Sequence, residues 1–137
     1  RMMFGYEAMK MLDKIIEDEA GREYFDLLRA TLDALADLEL PLVAVELWFY
    51  MRLLKLQGKE PNLTTDQNGA TLTPDSLYTF STDTMSFASS VAGNFTPDHI
   101  KLLRLTQSHA PKLLKQVKNI QNLAEDLKPL IQQLTTL

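Results

Sequence analysis

The stretch from Leu42 to Leu56 reads LVAVELWFYMRLLKL, and its only charged residues are Glu46, Arg52 and Lys55. A helix with this composition has no polar face, so other helices must surround it. It is also too short to span a membrane, which needs about 20 consecutive apolar residues. The stretch therefore predicts a central helix over residues 41–57 of a soluble helical bundle.

Two amphipathic segments precede the central helix, and their apolar residues recur every three or four positions. Gly21 separates them. Pro41 marks the end of the second segment, because its ring cannot continue a helix. The spacing predicts helices over residues 2–20 and 22–38. The predicted inward faces consist of Phe4, Ala8, Met11, Leu12, Ile15 and Ile16 in the first helix and Phe25, Leu28, Leu32 and Leu35 in the second.

Residues 62–96 differ in composition, with thirteen Ser or Thr in thirty-five residues and no Lys or Arg. Alternating residues around Tyr78–Phe80 and Met85–Phe87 predict a small hairpin with its turn near Thr82-Asp83. A disordered linker is the alternative. The number of large apolar side chains favours an ordered insert that packs on the helices; these side chains are Leu77, Tyr78, Phe80, Met85, Phe87, Val91 and Phe95.

The helical pattern resumes at Thr96 and Pro97, which are favoured at the N-cap and at the first helical position. We expect helices over residues 97–107 and 111–136, with Pro129 kinking or interrupting the second. The predicted fold class is mainly α. It is a single domain, a bundle of five or six helices with a small β-hairpin-like insertion at about 62–96.

Charge is unevenly distributed along the chain. Residues 1–51 carry eleven acids against five bases, whereas residues 99–118 contain five bases and no acid. The predicted DNA-binding cluster is Lys101, Arg104, Lys112, Lys115 and Lys118. On an α-helix the last three drift about 60° per step. Such a cluster attracts phosphates, and its richness in lysine favours contacts to the backbone. The alternative is a solvated helix face.

Several classes of function are disfavoured. The chain has no cysteine, only two histidines and no glycine-rich phosphate loop. The pairs Asp98-His99 and Ser108-His109 are weak candidates for catalysis, because neighbours on a helix point to different sides. Asp98 and His99 are better interpreted as first-turn residues, and Ser108 as a cap for the following helix. We therefore expect no catalytic residue, no metal site and no cofactor.

The central helix offers one candidate for partner binding. Trp48 is first of all a core residue, but a groove beside the helix, edged by Arg52 and Lys55, would receive a hydrophobic peptide with carboxylates. The predicted partner-binding residues are therefore Trp48, Arg52 and Lys55.

The order of features from Leu53 to Phe87, beginning with LLKLQGKEPNLT over residues 53–64, resembles the C-terminal domain of the bacterial recombination mediator RecO. That family has a very apolar helix ending in a Leu-Leu-x-x-x-Gly element, and many members then carry a four-cysteine zinc knuckle around a short hairpin. Here the hairpin outline remains and the cysteines are missing, so the sequence looks like a zinc-free variant. The resemblance implies an N-terminal OB-fold before residue 1, which is absent from these 137 residues.

The resemblance also implies a function. Family members are non-enzymatic mediators that help load the RecA recombinase onto single-stranded DNA coated by single-strand DNA-binding protein, and they anneal complementary strands. The implied partners are RecR, the C-terminal tail of single-strand DNA-binding protein, and single- and double-stranded DNA. No membrane is implied, and the location is cytoplasmic and nucleoid-associated. The alternative is a structural helical protein–protein interaction module without DNA contact of its own.

Overall fold

A computed structural model describes residues 1–18 and 21–136, without the side chains of residues 16–18. The described residues form five α-helices, one 3-10 helix and two strands. In chain order these are α1 (Met2–Asp18), α2 (Arg22–Ala36), α3 (Leu42–Leu56), β1 (Tyr78–Ser81), β2 (Ser86–Ser89), α4 (Pro97–Ser108), the 3-10 helix (Pro111–Gln116) and α5 (Ile120–Thr135). The predicted fold class is confirmed.

Helix α3 is the centre of the bundle. It contacts α2, α4, α5 and the 3-10 helix. Val45, Phe49 and Met51 have no exposed surface. Burial of such side chains stabilises a fold by about 1.5–3 kcal/mol each. As predicted for a helix without a polar face, α3 is covered by neighbouring elements on several sides.

The insert is an ordered hairpin that packs on the helices. Strands β1 and β2 are antiparallel, with Phe80 opposite Phe87. Phe87 is completely buried in the same core as the helices. A side chain at Gly93 would lie 2.5 Å from the carbonyl oxygen of Tyr78, so only glycine permits this close approach. The alternative of a disordered linker is wrong.

The buried face of α2 differs from the predicted one. Phe25 and Leu32 are 59% and 39% exposed, whereas Tyr24, Leu27 and Thr31 are buried. The Thr31 hydroxyl can face the core because it donates to the Leu27 carbonyl oxygen at 2.8 Å. Outside α2, Met11, Leu77 and Val91 were expected to be buried and are also exposed, and the side chain of Ile16 lies outside the described residues.

The prediction of one continuous helix over residues 111–136 is wrong, because the segment divides into a 3-10 helix and α5. A 3-10 helix ends at Gln116, and Asn119 adopts a left-handed conformation with φ of 62° before α5 begins. Helix α5 then continues through Pro129, which is exposed while Leu127, Leu130 and Ile131 are buried. Packing of the buried face thus maintains the helix, although Pro129 donates no backbone hydrogen bond.

The other helix bounds agree with the prediction to within two residues wherever they are described; residues 19–20 of the first predicted helix lie outside the described residues. No helix in the described ranges is long and apolar enough to cross a bilayer.

Candidate partner groove and basic surface

A groove of about 770 Å³ lies between α2 and α3. It brings together the three predicted partner-binding residues of α3. Ala110 and Pro111, where the 3-10 helix begins, complete its lining. The lining consists of Glu23, Tyr24, Asp26, Leu27 and Ala30 of α2, Trp48, Arg52, Lys55 and Leu56 of α3, and Ala110 and Pro111.

The wall formed by α3 is fixed by hydrogen bonds to the end of α4. The Trp48 indole Nε1 donates to the His109 carbonyl oxygen at 2.9 Å, and Arg52 Nη2 donates to the same oxygen at 2.8 Å. Arg52 Nε also donates to the Thr106 carbonyl oxygen at 2.6 Å. The Arg52 guanidinium lies over the Trp48 ring, with 5.0 Å between Cζ and the ring centroid. The two side chains therefore form one rigid unit.

These bonds have a clear structural reason. The last carbonyl groups of a helix have no partner within the helix, and they carry its negative partial charge. Helix α4 ends at Ser108, so the carbonyl groups of Thr106, Gln107 and His109 need donors. Arg52 supplies two of the bonds, and Lys55 Nζ donates to the Gln107 carbonyl oxygen at 3.0 Å. The basic residues thus cap α4 while lining the groove.

The capping leaves donors available to a ligand. A lysine ammonium has three donors and an arginine guanidinium has five. Within the described part of the chain, no hydrogen bond engages Nη1 of Arg52. Partial burial lowers the pKa of Arg52 through desolvation. A carboxylate near such a partly desolvated cation is attracted more strongly than at an open surface.

The opposite wall of the groove is acidic. Glu23 and Asp26 of α2 line it and are exposed. In the described residues no ion pair within 4.0 Å joins them to Arg52 or Lys55. The apolar part of the lining lies between the walls and includes Leu27, Ala30 and Trp48. Negatively charged side chains of α2 and positively charged side chains of α3 therefore line the same groove.

The predicted DNA-binding cluster divides into two parts. Lys101 and Arg104 belong to α4, where they line a notch of about 240 Å³ with Thr73 and other residues of the insert. Arg104 Nε donates to the Leu63 carbonyl oxygen at 2.8 Å. Arg104 therefore fastens the segment that follows α3 to α4, whether or not it also meets a phosphate.

The second part of the cluster starts on the 3-10 helix. Such a helix has three residues per turn, so Lys112 and Lys115 lie on one side of it. The expected drift of about 60° per step, which assumed an α-helix, is wrong for this pair. Lys118 follows the 3-10 helix and is exposed. The tighter helix thus aligns two of the three lysines more closely than predicted.

Lys115 is engaged by acidic residues of the loop between α2 and α3. Its Nζ lies 2.7 Å from Asp37 Oδ2 and 3.7 Å from Glu39 Oε2. The hydrogen bond from Lys115 lowers the pKa of Asp37, and the same bond raises the pKa of Lys115. Lys112 lines a shallow hollow with Lys115, Leu113 and Gln116 and has no ion pair among the described residues.

The surroundings of His99 indicate a structural role. His99 is buried, its Nδ1 accepts from the backbone N–H of Thr96 at 3.0 Å, and its Nε2 lies 3.0 Å from Asp126 Oδ2. It completes a capping box with Thr96, which confirms its place in the first turn of α4. The partner Asp126 is 27 positions away and gives no sequence signal.

The expected role of Ser108 is wrong. Its hydroxyl donates to the Arg104 carbonyl oxygen at 3.0 Å within α4 and lies 2.8 Å from His109 Nδ1, while Ala110 precedes the 3-10 helix without a side-chain cap. Among the described residues no group of three or more acidic or histidine side chains is arranged to hold a metal ion.

Comparison with known proteins gives one family match. The family model described as "Recombination protein O C terminal" matches residues 1–135. No curated protein matches the sequence. No solved structure matches it either. The match confirms the resemblance inferred from the features between Leu53 and Phe87.

Proposed function

Because this chain belongs to the recombination protein O C-terminal family, we propose that it is a mediator domain whose groove captures the C-terminal tail of single-strand DNA-binding protein. The family acts in recombination and DNA repair and is a family of non-catalytic domains. The finer role proposed here is to help load a recombinase onto protein-coated single strands, with RecR as a partner, and to support annealing. A cytoplasmic, nucleoid-associated location accords with that role.

One observation carries the proposal: Trp48, Arg52 and Lys55 converge on a groove with an apolar floor. A tail that ends in apolar side chains and a free carboxylate has the complementary chemistry. Its apolar groups would pack against Leu56 and Ala30, above the edges of Trp48 and Leu27, which are only 3% and 5% exposed. Its terminal carboxylate would accept hydrogen bonds from Arg52 Nη1 and the Lys55 ammonium. Because α4 already fixes the basic side chains, little side-chain conformational freedom would be lost on binding.

The single tryptophan of the chain gives a direct test. Trp48 lies in the groove, so an unlabelled tail peptide should change its fluorescence saturably. We expect the same dissociation constant from anisotropy of a labelled peptide, and weaker binding at high salt. Lys55→Gln should weaken binding about 3- to 10-fold, since one charge-assisted bond is lost. The matched control is Lys59→Gln, which removes an exposed lysine outside the groove.

A saturable fluorescence change that Lys55→Gln weakens and Lys59→Gln leaves unaltered would support the groove as the tail site. Absence of binding by either method would contradict it. Equal effects of the two substitutions would show that the peptide responds only to net charge.

The same domain is proposed to bind single- and double-stranded DNA through Lys101, Arg104, Lys112, Lys115 and Lys118. Support comes from the exposure of all five side chains and from the alignment of Lys112 with Lys115. Changing Lys112, Lys115 and Lys118 together to glutamate should weaken binding and flatten its salt dependence. Unchanged binding would remove this surface from the proposal.

A structural protein–protein interaction module without DNA contact is the second candidate. Four basic side chains already bind groups of the domain itself, which favours this candidate. Arg52, Lys55 and Arg104 bind backbone carbonyl groups, and Lys115 binds Asp37. A domain that binds the tail peptide but no DNA at about 50 mM salt would establish this candidate, since low salt strengthens contacts to phosphate.

A further inference from the structure

The notch between α4 and the insert places an apolar surface beside two cations. Lys101 and Arg104 are three positions apart on α4, so they lie on neighbouring parts of one helix face. Pro74 of the insert and Pro97 of α4 keep part of their surface exposed in the notch. Beneath them the lining is completed by the buried side chains of Leu72 and Ile100.

The size of the notch limits what it can hold. Its volume is about 240 Å³. Pockets that take a drug-sized ligand measure about 300–1,000 Å³, so this notch suits a smaller group. A single nucleobase is small and has two apolar faces. Proline and other apolar side chains pack against bases that have left their stack. The rings of Pro74 and Pro97 offer such a surface.

Hydrogen bonds hold both sides of the notch in place. On the insert side, the backbone N–H of Thr73 donates to the hydroxyl of Tyr78 at 2.8 Å, and the Tyr78 side chain is buried. On the α4 side, Arg104 Nε donates to the Leu63 carbonyl oxygen at 2.8 Å, which joins α4 to the segment leading into the insert. The notch is therefore formed before any ligand arrives, and little conformational freedom would be lost on binding.

The two cations keep donors for phosphate groups. A guanidinium has five donors. Within residues 1–18 and 21–136, no hydrogen bond engages Nη1 or Nη2 of Arg104, and no ion pair joins Arg104 or Lys101 to an acid. Both side chains are exposed. A strand that placed a base in the notch would therefore have two cations next to its phosphates.

We propose that this notch binds one unpaired base of single-stranded DNA, while Lys101 and Arg104 contact the phosphates beside that base. The inference rests on the proposed DNA binding of this domain. Bases of a duplex are paired and stacked, and removing one from the duplex costs free energy. The notch therefore adds affinity for single strands, whereas the phosphate contacts act on single and double strands alike.

The test compares an oligothymidine strand with an abasic strand of the same length. The abasic strand has the same phosphates and the same charge but no bases. At about 50 mM salt we expect the wild type to bind oligothymidine about five-fold more tightly, which is near the lower end for base stacking because no aromatic ring lines the notch. At about 200 mM salt both affinities should fall and their ratio should persist, since salt screens charges and not apolar contacts.

Three variants separate the base from the phosphates. Thr73→Gln places a longer uncharged side chain in the lining and should reduce the preference for oligothymidine to below about two-fold. The matched control Thr71→Gln makes the same change at an exposed position of the insert outside the lining and should keep the preference. Lys101→Gln should weaken binding of both strands to a similar degree, because it removes a contact to phosphate.

Equal affinity of the wild type for the two strands would overturn the inference and leave DNA binding through phosphate contacts standing. A preference that Thr73→Gln leaves intact, or that Thr71→Gln reduces as much, would also overturn it, because the bases would then bind elsewhere. If Thr73→Gln weakened binding of the tail peptide and not of DNA, the notch would belong to the peptide. If the wild type bound neither strand, the base site and the proposed DNA binding would both fall.

Discussion

Trp48 and Arg52 donate hydrogen bonds to the same acceptor, the carbonyl oxygen of His109, at 2.9 and 2.8 Å. They are four positions apart on α3, so their side chains lie on one helix face. The bonds join the centre of the bundle to the end of α4. One pair of side chains thus connects the packing of the core with the groove.

Arg52→Lys should destabilise the domain although it preserves the charge. A lysine ammonium cannot reproduce the planar donors that reach both Thr106 and His109. We expect a loss of about 1–2 kcal/mol in the free energy of unfolding, measured by urea denaturation. Arg29→Lys, at an exposed position of α2, is the control. A loss at Arg52 no larger than the control would show that these bonds contribute nothing.

The pair of Asp37 and Lys115 predicts a pH dependence of stability. The pKa of Asp37 is lowered in the folded protein, so its contribution is present above the ordinary aspartate value of about 4 and is lost as the pH falls through the lowered value. The pKa of Lys115 is raised, so its contribution is present below the ordinary lysine value and is lost only as the pH rises through the raised one.

Asp37→Asn should therefore lower the melting temperature slightly at pH 7. The difference from the wild type should shrink between pH 5 and pH 3 and also at about 1 M salt, because the pair is near the surface. Glu39→Gln should have less effect, since Glu39 lies at 3.7 Å from Lys115 and its side chain is 83% exposed. A difference that is constant with pH would contradict the ion pair as its cause.

The same ion pair predicts unequal roles for two lysines in DNA binding. DNA must displace Asp37 and Glu39 to reach Lys115, whereas Lys112 has no such competitor among the described residues. Lys112→Gln should therefore weaken binding more than Lys115→Gln. It should also reduce the slope of log affinity against log salt by about 0.9 on duplex DNA.

The double variant D37N/E39Q releases Lys115 and should tighten DNA binding about two-fold or more at about 50 mM salt. The control D75N/D83N makes the same change in net charge at exposed positions of the insert, so it separates this effect from net charge alone. Fluorescence anisotropy with a labelled duplex measures both. Equal losses at Lys112 and Lys115 would argue against competition by the acidic loop.

Substitutions of the two histidines should differ sharply. His99→Ala removes a buried side chain, leaves the Thr96 N–H without its acceptor and breaks the contact with Asp126, so we expect a loss of about 2 kcal/mol. His109→Ala changes an exposed side chain and should stay within about 0.5 kcal/mol. Thermal unfolding by circular dichroism measures both. Similar losses would contradict the structural role of the His99 capping box.

Much of the fold follows from local patterns in the sequence. The apolar run from Leu42 to Leu56 leads to a central helix because no side of it suits water. The alternation around Tyr78 and Phe87 leads to a hairpin because successive side chains of a strand point to opposite faces, so that one face is apolar and can pack on the core. Periodicity is less informative where large and small residues share a face, as in α2, where Thr31 is buried and Phe25 is exposed.

The central helix, the hairpin and the family follow from the sequence alone, because each depends on the order of neighbouring residues. Which side chains contact one another depends on the packing of the helices. This packing places Glu23 across a groove from Lys55, ties Lys115 to Asp37 and gives Arg52 the carbonyl of His109. These relationships join residues far apart in the chain. They depend on how the helices pack, and no local periodicity encodes that arrangement.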